Sequence, residues 1–186
     1  MQFNFDLVVN SFPLLLVGAG VTIKITALSV ALGVVIGLFV GIARISRIKL
    51  LRVLAAIYVD FFRGTPLLVQ IFLVYFALPV ITGQRVDPFV AAIGSCGINS
   101  GAYVAEIFRA GIQSIDKGQT EAGRSTGLTQ AQTMLYIIWP QAFRRMIPPL
   151  TNQCIISLKD TSLLVVIGVV IGLFGSAMAM RRYLKV

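Results

Sequence analysis

Long apolar runs separated by short polar segments dominate the chain. The runs cover about 12–43, 53–81, 89–110 and 152–180 of the 186 residues. A helix needs about 20 mostly apolar residues to cross a bilayer, and each run reaches that length. The pattern predicts an all-α integral membrane protein. We expect a multi-span helical bundle forming one transmembrane domain over 1–186, with a cytoplasmic loop at about 113–147.

Composition supports the membrane class, because 57% of the residues are hydrophobic and 12% are charged. The first run is not a cleaved signal sequence, since no basic residue precedes it and it exceeds the about 7–15 apolar residues of a signal core. The net charge of +9 does not predict nucleic-acid binding, because Lys and Arg form no concentrated stripe. We therefore expect a lipid bilayer, and no nucleic acid, among the partners.

The basic residues are distributed asymmetrically between the runs. Nine lie in the first interhelical loop, at the end of the third run or after it: Arg44, Arg47, Lys49, Arg52, Arg109, Lys117, Arg124, Arg144 and Arg145. Only Arg85 lies between the second and third runs. By the positive-inside rule, the two basic segments are cytoplasmic and the N-terminus is outside.

Small and polar residues recur at helical spacing in two of the runs. The glycine stripes, which favour close helix packing, are Gly33, Gly37 and Gly41 in the first run and Gly94, Gly97 and Gly101 in the third. A polar stripe beside the second set comprises Ser95, Asn99, Tyr103 and Glu106. These polar groups suit a water-lined path for a polar solute, although hydrogen bonding between helices explains Ser95 and Asn99 equally well.

The second run contains a predicted helix break. Asp60 and Arg63 lie three residues apart on one helix face and are predicted to pair, just before Gly64-Thr65-Pro66 interrupts the helix. A broken helix inside a membrane usually lines a cavity. The alternative is a kink that only shapes packing, with the ion pair near the cytoplasmic interface.

Two charges, Lys159 and Asp160, lie about 15 Å beyond Pro148-Pro149, near the middle of the bilayer. They point about 100° apart on a helix, so each needs another partner or a polar cavity. An amino-acid zwitterion offers a carboxylate for Lys159 and an ammonium for Asp160; fixed pairs with Lys24 or Glu106 are the alternative. The candidate substrate pathway comprises Asn99, Tyr103, Glu106, Lys159, Asp160 and Ser162.

The polar segment after the third run has helical composition. Gly127 is predicted to end a short helix in a left-handed cap, and Thr129 with Gln132 forms a capping box that starts the next helix. That second helix is expected to run until Pro140. Two short helices that meet at a glycine predict a compact cytoplasmic protrusion.

Four motifs resemble the permease subunits of polar amino acid ATP-binding-cassette importers, a family that includes glutamine, arginine, histidine and glutamate systems. The most specific is Glu121-Ala122-Gly123, three residues, Gly127, nine residues, then Ile137-Ile138-Trp139-Pro140, which is similar to the family's Glu-Ala-Ala loop. The others are Arg63 to Gln70, Asn99 to Glu106 and Lys159 to Leu163. Gly123 replaces the loop's second alanine, a change expected to keep the backbone close to a partner groove.

The resemblance implies the type I importer permease fold and the bacterial cytoplasmic (inner) membrane. It implies three kinds of protein partner: two ATP-binding-cassette ATPase subunits, a second permease chain in a homodimer or heterodimer, and an extracytoplasmic amino-acid-binding protein. The implied ATPase-docking residues are Glu121, Ala122, Gly123, Arg124, Gly127 and Leu128. Because no Gly-x-x-x-x-Gly-Lys-Ser/Thr loop occurs, ATP and Mg are expected on the partner ATPase, with no cofactor, metal or catalytic residue in this chain.

A passive channel or membrane scaffold is the main alternative. It explains the glycine stripes but leaves the cytoplasmic motif without a purpose. An intramembrane enzyme is disfavoured because the chain has no His to serve as a base beside a nucleophile.

The C-terminal part departs from the family pattern. The resemblance implies an external segment and one more span after Lys159-Asp160-Thr161-Ser162, whereas here Val170 leads through apolar residues to Arg181-Arg182. Four crossings would also place that basic tail outside, against the positive-inside rule. We therefore expect an odd number of spans and a shortened C-terminal part, lacking an external segment and part of one or two spans.

Overall fold

The computed structural model describes the backbone of residues 5–183 and the side chains of residues 12–13 and 15–163. Over these residues the chain forms α-helices joined by short turns and two π-helical turns. The helices are α1 (Phe5–Ile45), α2 (Lys49–Gly64), α3 (Leu67–Phe72), α4 (Leu78–Thr82), α5 (Pro88–Gln113), α6 (Lys117–Ser125), α7 (Gln130–Thr133) and α8 (Trp139–Tyr183). The π-helical turns are Leu73–Ala77 and Met134–Ile138. The basic tail at Arg181-Arg182 lies outside the described side chains.

The α1 glycines pack against α5, as predicted. A Cβ atom added to Gly37 would lie 2.5 Å from Cγ1 of Val104, and one added to Gly33 would lie 2.9 Å from Cβ of Ser100. Gly41 makes the same close approach to Phe108. Bare backbone on α1 thus lets the two helices approach more closely than any side chain would permit.

The glycine stripe of α5 is only partly used for packing. Gly97 faces Leu32, and Gly101 faces both Ile36 and the hydroxyl of Tyr58. A Cβ atom added to Gly94 would meet no other element within 4 Å, so Gly94 does not make the predicted close contact within the described part of the chain.

The predicted break in the second run is present. α2 ends at Gly64 and α3 begins at Leu67, and the two helical segments meet at 104°. Pro66 explains the break, because its ring cannot donate the backbone hydrogen bond that a continuing helix requires.

Pro140, near the start of α8, does not end a helix, contrary to the prediction. The π-helical turn Met134–Ile138 leads directly into α8, with Pro140 near its first turn, and α8 continues through Pro148 and Pro149 as one 45-residue helix. A π-helical turn changes the local hydrogen-bond register, which allows the chain to accommodate Pro140 without stopping.

A small apolar core connects the membrane helices to the segment that follows α5. Its buried members come from α5, the following turn, the second π-helical turn and α8: Val104, Phe108, Ile115, Ile138, Ala142 and Met146. The indole of Trp139 stacks on Phe108 with ring centroids 6.0 Å apart. The protrusion is therefore built onto the end of α5 and is not a free linker.

The segment Leu15–Ile45 of α1 is long and apolar enough to cross a membrane, and the bent pair Lys49–Gly64 with Leu67–Thr82 meets the same criterion together. These correspond to the predicted spans at 12–43 and 53–81. The spans at 89–110 and 152–180 stay predictions.

Candidate functional site

Two amides rebuild the hydrogen bonding that the α2–α3 break disrupts. A regular helix would bond the carbonyl of Phe62 to the N–H of residue 66, which Pro66 lacks. Nε2 of Gln70 and Nδ2 of Asn99 each donate to that carbonyl at 3.0 Å. Asn99 also donates to Oε1 of Gln70 at 3.1 Å, and Gln70 to the carbonyl of Thr65 at 3.1 Å. Asn99 thus fixes the break in place.

Gln70→Leu is expected to destabilise the chain by about 1–3 kcal/mol, because it leaves buried polar groups at the break without a partner. The measurement is the thermal unfolding midpoint of the detergent-solubilised protein. Gln84→Leu is the matched control, since Gln84 is exposed outside the helices. Equal midpoints for the two variants would contradict the role assigned to Gln70.

The break opens onto a polar cleft between α2–α3, α5 and α8. The cleft has a volume of about 430 Å³. Its lining includes six residues singled out from the sequence: Arg63, Gly64, Pro66, Asn99, Tyr103 and Asp160. Thr65, Leu67, Gln153 and Ile156 complete it. The fold thus gathers residues that are up to 97 positions apart (160 − 63) into one site.

Lys159 and Ser162 lie outside this cleft. Both are exposed, and the Ser162 hydroxyl donates to the carbonyl of Lys159 at 2.7 Å. Neither Lys159 nor Asp160 forms an ion pair in the described part of the chain, so the alternative of fixed pairs with Lys24 or Glu106 is wrong here. Asp160 alone of the two charges points into the cleft.

The predicted Asp60–Arg63 ion pair is absent from the described residues. The Arg63 guanidinium instead lies over the Tyr103 ring, 5.3 Å from its centroid, and Asp60 is exposed. Helical spacing brings Asp60 and Arg63 within reach, but α2 ends one residue after Arg63. The aromatic face of α5 lies beside that end and takes the cation.

A second cleft of about 410 Å³ continues along α5. Its lining comprises Arg63, Tyr103, Glu106, Ile107, Ala110, Gly111, Ser114, Arg145 and Pro149. The Glu106 carboxylate is held by Arg109 on the same helix and by Arg44 of α1, the latter at 3.3 Å. Glu106 thus lines the second cleft, and the guanidinium groups of Arg44 and Arg109 neutralise its charge.

The protrusion after α5 has the predicted caps. Gly127 adopts φ = 85°, and Thr129 with Gln132 forms the capping box. Arg124 donates to the carbonyl of Leu128 at 3.1 Å, which closes the turn. Glu121 and Ala122 are exposed, as are Arg124 and Gly127, while Leu128 is half-buried. Most of the predicted docking residues are therefore accessible to a partner.

Gly123, which was predicted to lie close to a partner, packs against other parts of the protrusion. It is buried, and a Cβ atom added to it would lie 2.6 Å from Cγ2 of Thr133 and 2.9 Å from Cδ1 of Ile137. The missing side chain lets α6 pack on α7 and the π-helical turn. Gly123 therefore faces the interior of the protrusion.

Sequence reasoning missed three groups that the fold brings to the two clefts, Thr65, Gln153 and Arg145, and also Gln70, which holds the helix break beside them. Gln70 is the polar residue that ends the run from Arg63 to Gln70. The carbonyl to which it donates, that of Phe62, lies eight residues earlier. Gln153 lies one turn before Ser157 on α8 and is buried. A buried amide in an apolar run was the available signal for both glutamines.

Taken together, the broken helix, the two clefts along α5 and the folded protrusion after it define a helical membrane transport component. Comparison with known proteins agrees with this class of protein. The family of binding-protein-dependent transport system inner membrane components matches residues 33–183. The glutamine transport system permease protein GlnP of Escherichia coli (strain K12) is 48% identical over 170 residues, covering 91% of this chain and 78% of the relative. The L-cystine transport system permease protein TcyL of Bacillus subtilis (strain 168) is 42% identical, covering 90% and 72%.

A crystal structure of an amino acid ABC transporter with histidines aligns at a TM-score of 0.84 and 43% identity, covering 90% of this chain and 78% of that one. The chain belongs to the family of inner membrane components of binding-protein-dependent transport systems. The predicted all-α importer-permease fold is confirmed. As a transporter subunit the chain is not an enzyme, and ATP hydrolysis occurs on a partner ATPase.

Proposed function

We propose that this chain, an amino acid importer permease, carries a polar amino acid through the groove along α5. The supporting observation is the cleft at the helix break, which presents the Arg63 guanidinium and the Asp160 carboxylate together with the amides of Asn99 and Gln153. An opposite pair of charges in one cleft complements an amino-acid zwitterion. Relatives named for glutamine and cystine transport agree with a polar amino acid as solute.

Arg63 replaces Lys159 as the cation in this proposal. Lys159 is exposed on α8 and does not line the cleft, whereas Arg63 does. A guanidinium also matches a carboxylate better than an ammonium, because it can donate two parallel hydrogen bonds. The Asp160 carboxylate then accepts from the ammonium of the solute.

The protrusion is proposed to couple transport to ATP. Glu121, Ala122 and Arg124 on α6, with Gly127 and Leu128 after it, form the surface for an ATPase. Two such ATPases with bound ATP and Mg, a second permease chain and an extracytoplasmic binding protein complete the importer. The N-terminus is outside, which places the basic protrusion in the cytoplasm. Closure of the ATPases would alternate the access of the groove between the two sides.

The test is amino-acid uptake by liposomes that contain the chain, its ATPase, any second permease and the binding protein. Asp160→Asn is expected to lower ATP-driven uptake by at least about tenfold, since loss of a charge-assisted bond of about 1.5–3 kcal/mol corresponds to that factor. Comparing the uptake rates of glutamine, cystine and arginine by the wild type would identify the preferred solute.

Asp60→Asn is the matched control, because Asp60 is exposed and makes no ion pair in the described part of the chain. It is expected to leave uptake close to the wild-type rate. Unchanged uptake by Asp160→Asn, in a complex of normal composition, would contradict the cleft as the solute site. A wild-type chain that inserts but binds no ATPase would instead favour the channel or scaffold.

A further inference from the structure

The two clefts along α5 meet at a single pair of side chains. The cleft at the helix break, here called the inner cleft, is lined by Asp160 and Ile156. The second, here called the outer cleft, is lined by Ala110 and reaches Ser114 at the end of α5 next to the protrusion. The names inner and outer refer to distance from the helix break and not to the two sides of the membrane. Among the described lining residues, Arg63 and Tyr103 alone belong to both clefts. A solute that moved along α5 from one cleft to the other would therefore travel beside these two side chains.

The pair is held together by a weak contact. The Arg63 guanidinium lies 5.3 Å from the centroid of the Tyr103 ring, within the range of a cation–π interaction. Neither side chain makes an ion pair or a side-chain hydrogen bond in the part of the chain that the structure describes. Arg63 is exposed and precedes the break, and Gly64 has open space around it. The guanidinium can therefore leave the ring without breaking a network.

The charges around the pair differ between the two sides. On the outer side, Glu106 is already held by Arg44 and Arg109. On the inner side, Asp160 lines the cleft without an ion pair among the described residues. A carboxylate that enters the inner cleft adds to this attraction. The guanidinium is thus drawn toward the inner cleft when a solute is there.

We propose that Arg63 and Tyr103 form a gate between the inner and outer clefts. With no solute, the guanidinium covers the ring and blocks the passage. A solute carboxylate in the inner cleft competes with the ring for the guanidinium and opens the passage. The identity of the solute rests on the proposed function, whereas the existence of the gate rests on the geometry of the two clefts.

Thiol labelling tests the gate without requiring transport. In a background with Cys96→Ser and Cys154→Ser, Ile156→Cys reports on the inner cleft and Ala110→Cys on the outer cleft. A charged, membrane-impermeant thiol reagent is added to inside-out vesicles that contain the whole importer complex. Ala110→Cys is expected to react rapidly, and Ile156→Cys slowly. Tyr103→Ala is expected to raise the Ile156→Cys rate by between about 2- and 30-fold, the range set by loss of one cation–π contact.

Two further variants keep the test interpretable. Tyr103→Phe retains the ring, so its Ile156→Cys rate should stay close to that of the wild type. Arg63→Gln removes the cation from an exposed position and should match Tyr103→Ala. Addition of the amino acid found by the uptake assay should also raise the Ile156→Cys rate in the wild type.

Equal Ile156→Cys rates in the wild type, Tyr103→Ala and Arg63→Gln would overturn the gate. So would rapid labelling of Ile156→Cys in the wild type without solute. If Ala110→Cys reacts only in right-side-out vesicles, the proposed orientation fails. The Ile156→Cys comparison made from that side then still decides the gate.

Discussion

Gly37→Leu is expected to prevent assembly of a stable, folded permease. A Cβ atom at position 37 would lie 2.5 Å and 2.6 Å from Cγ1 and Cβ of Val104, and 3.0 Å from the backbone N of Ala105. Val104 is 1% exposed and branched at Cβ, so it has little freedom to move aside. Relief requires α1 and α5 to separate, which also opens the contacts at Gly33 and Gly41.

Overpacking of this kind commonly costs about 1–3 kcal/mol at one site. Separation of a whole helix pair costs more, and stabilities of proteins are only about 5–15 kcal/mol. The measurement is the yield of monodisperse protein after extraction in mild detergent, followed by its unfolding midpoint. We expect the monodisperse fraction to be almost completely lost.

Gly20→Leu is the matched control on the same helix, because no atom lies within 4 Å of the position its Cβ would occupy. It should be extracted like the wild type. A folded Gly37→Leu protein with an unchanged unfolding midpoint would contradict the α1–α5 contact as the main packing surface of the chain.

The sequence predicted best those features that depend on a few neighbouring residues. The left-handed cap at Gly127 and the capping box at Thr129 and Gln132 are local, so nothing distant had to be known. The break at Pro66 follows from the missing N–H of that residue. The α1 glycine spacing indicated which face packs, since helical period alone places these positions together.

Features that depend on the approach of distant segments were not predictable in the same way. The Asp60–Arg63 pair was expected from spacing, but the Tyr103 ring takes the guanidinium. Gln70 and Asn99 are 29 positions apart, and their shared target at Phe62 follows only from the folded geometry. Lys159 and Asp160 are adjacent, yet only one faces the cleft.

The same distinction applies to the protrusion after α5. Motif resemblance placed Gly123 among the docking residues, because it occupies the position of the second alanine in the Glu-Ala-Ala loop. On a helix, however, adjacent residues point about 100° apart. The exposed residues of α6 therefore form a surface. The buried Gly123 lets α6 pack closely enough for that surface to form.

Gly123→Leu is expected to abolish ATPase binding while the membrane helices remain folded. The new side chain would collide with Cγ2 of Thr133 and Cδ1 of Ile137. Thr133 is 1% exposed and its hydroxyl donates to the carbonyl of Thr129 at 3.0 Å, so it cannot rotate away without a cost. α6 must then leave α7 and the π-helical turn, which disrupts the proposed docking surface. The measurement is co-purification with the ATPase, expected to fall to background.

A second measurement separates this explanation from a direct contact with the ATPase. Because Gly123 packs inside the protrusion, Gly123→Leu should raise subtilisin cleavage within 113–147 even in the permease without ATPase. Ser125→Leu is the control on an exposed position of the same helix and should leave that cleavage unchanged. If Gly123→Leu blocked ATPase binding with normal protease resistance, Gly123 would face the partner after all. The protrusion would then have to pack differently from the arrangement in which Thr133 covers this glycine.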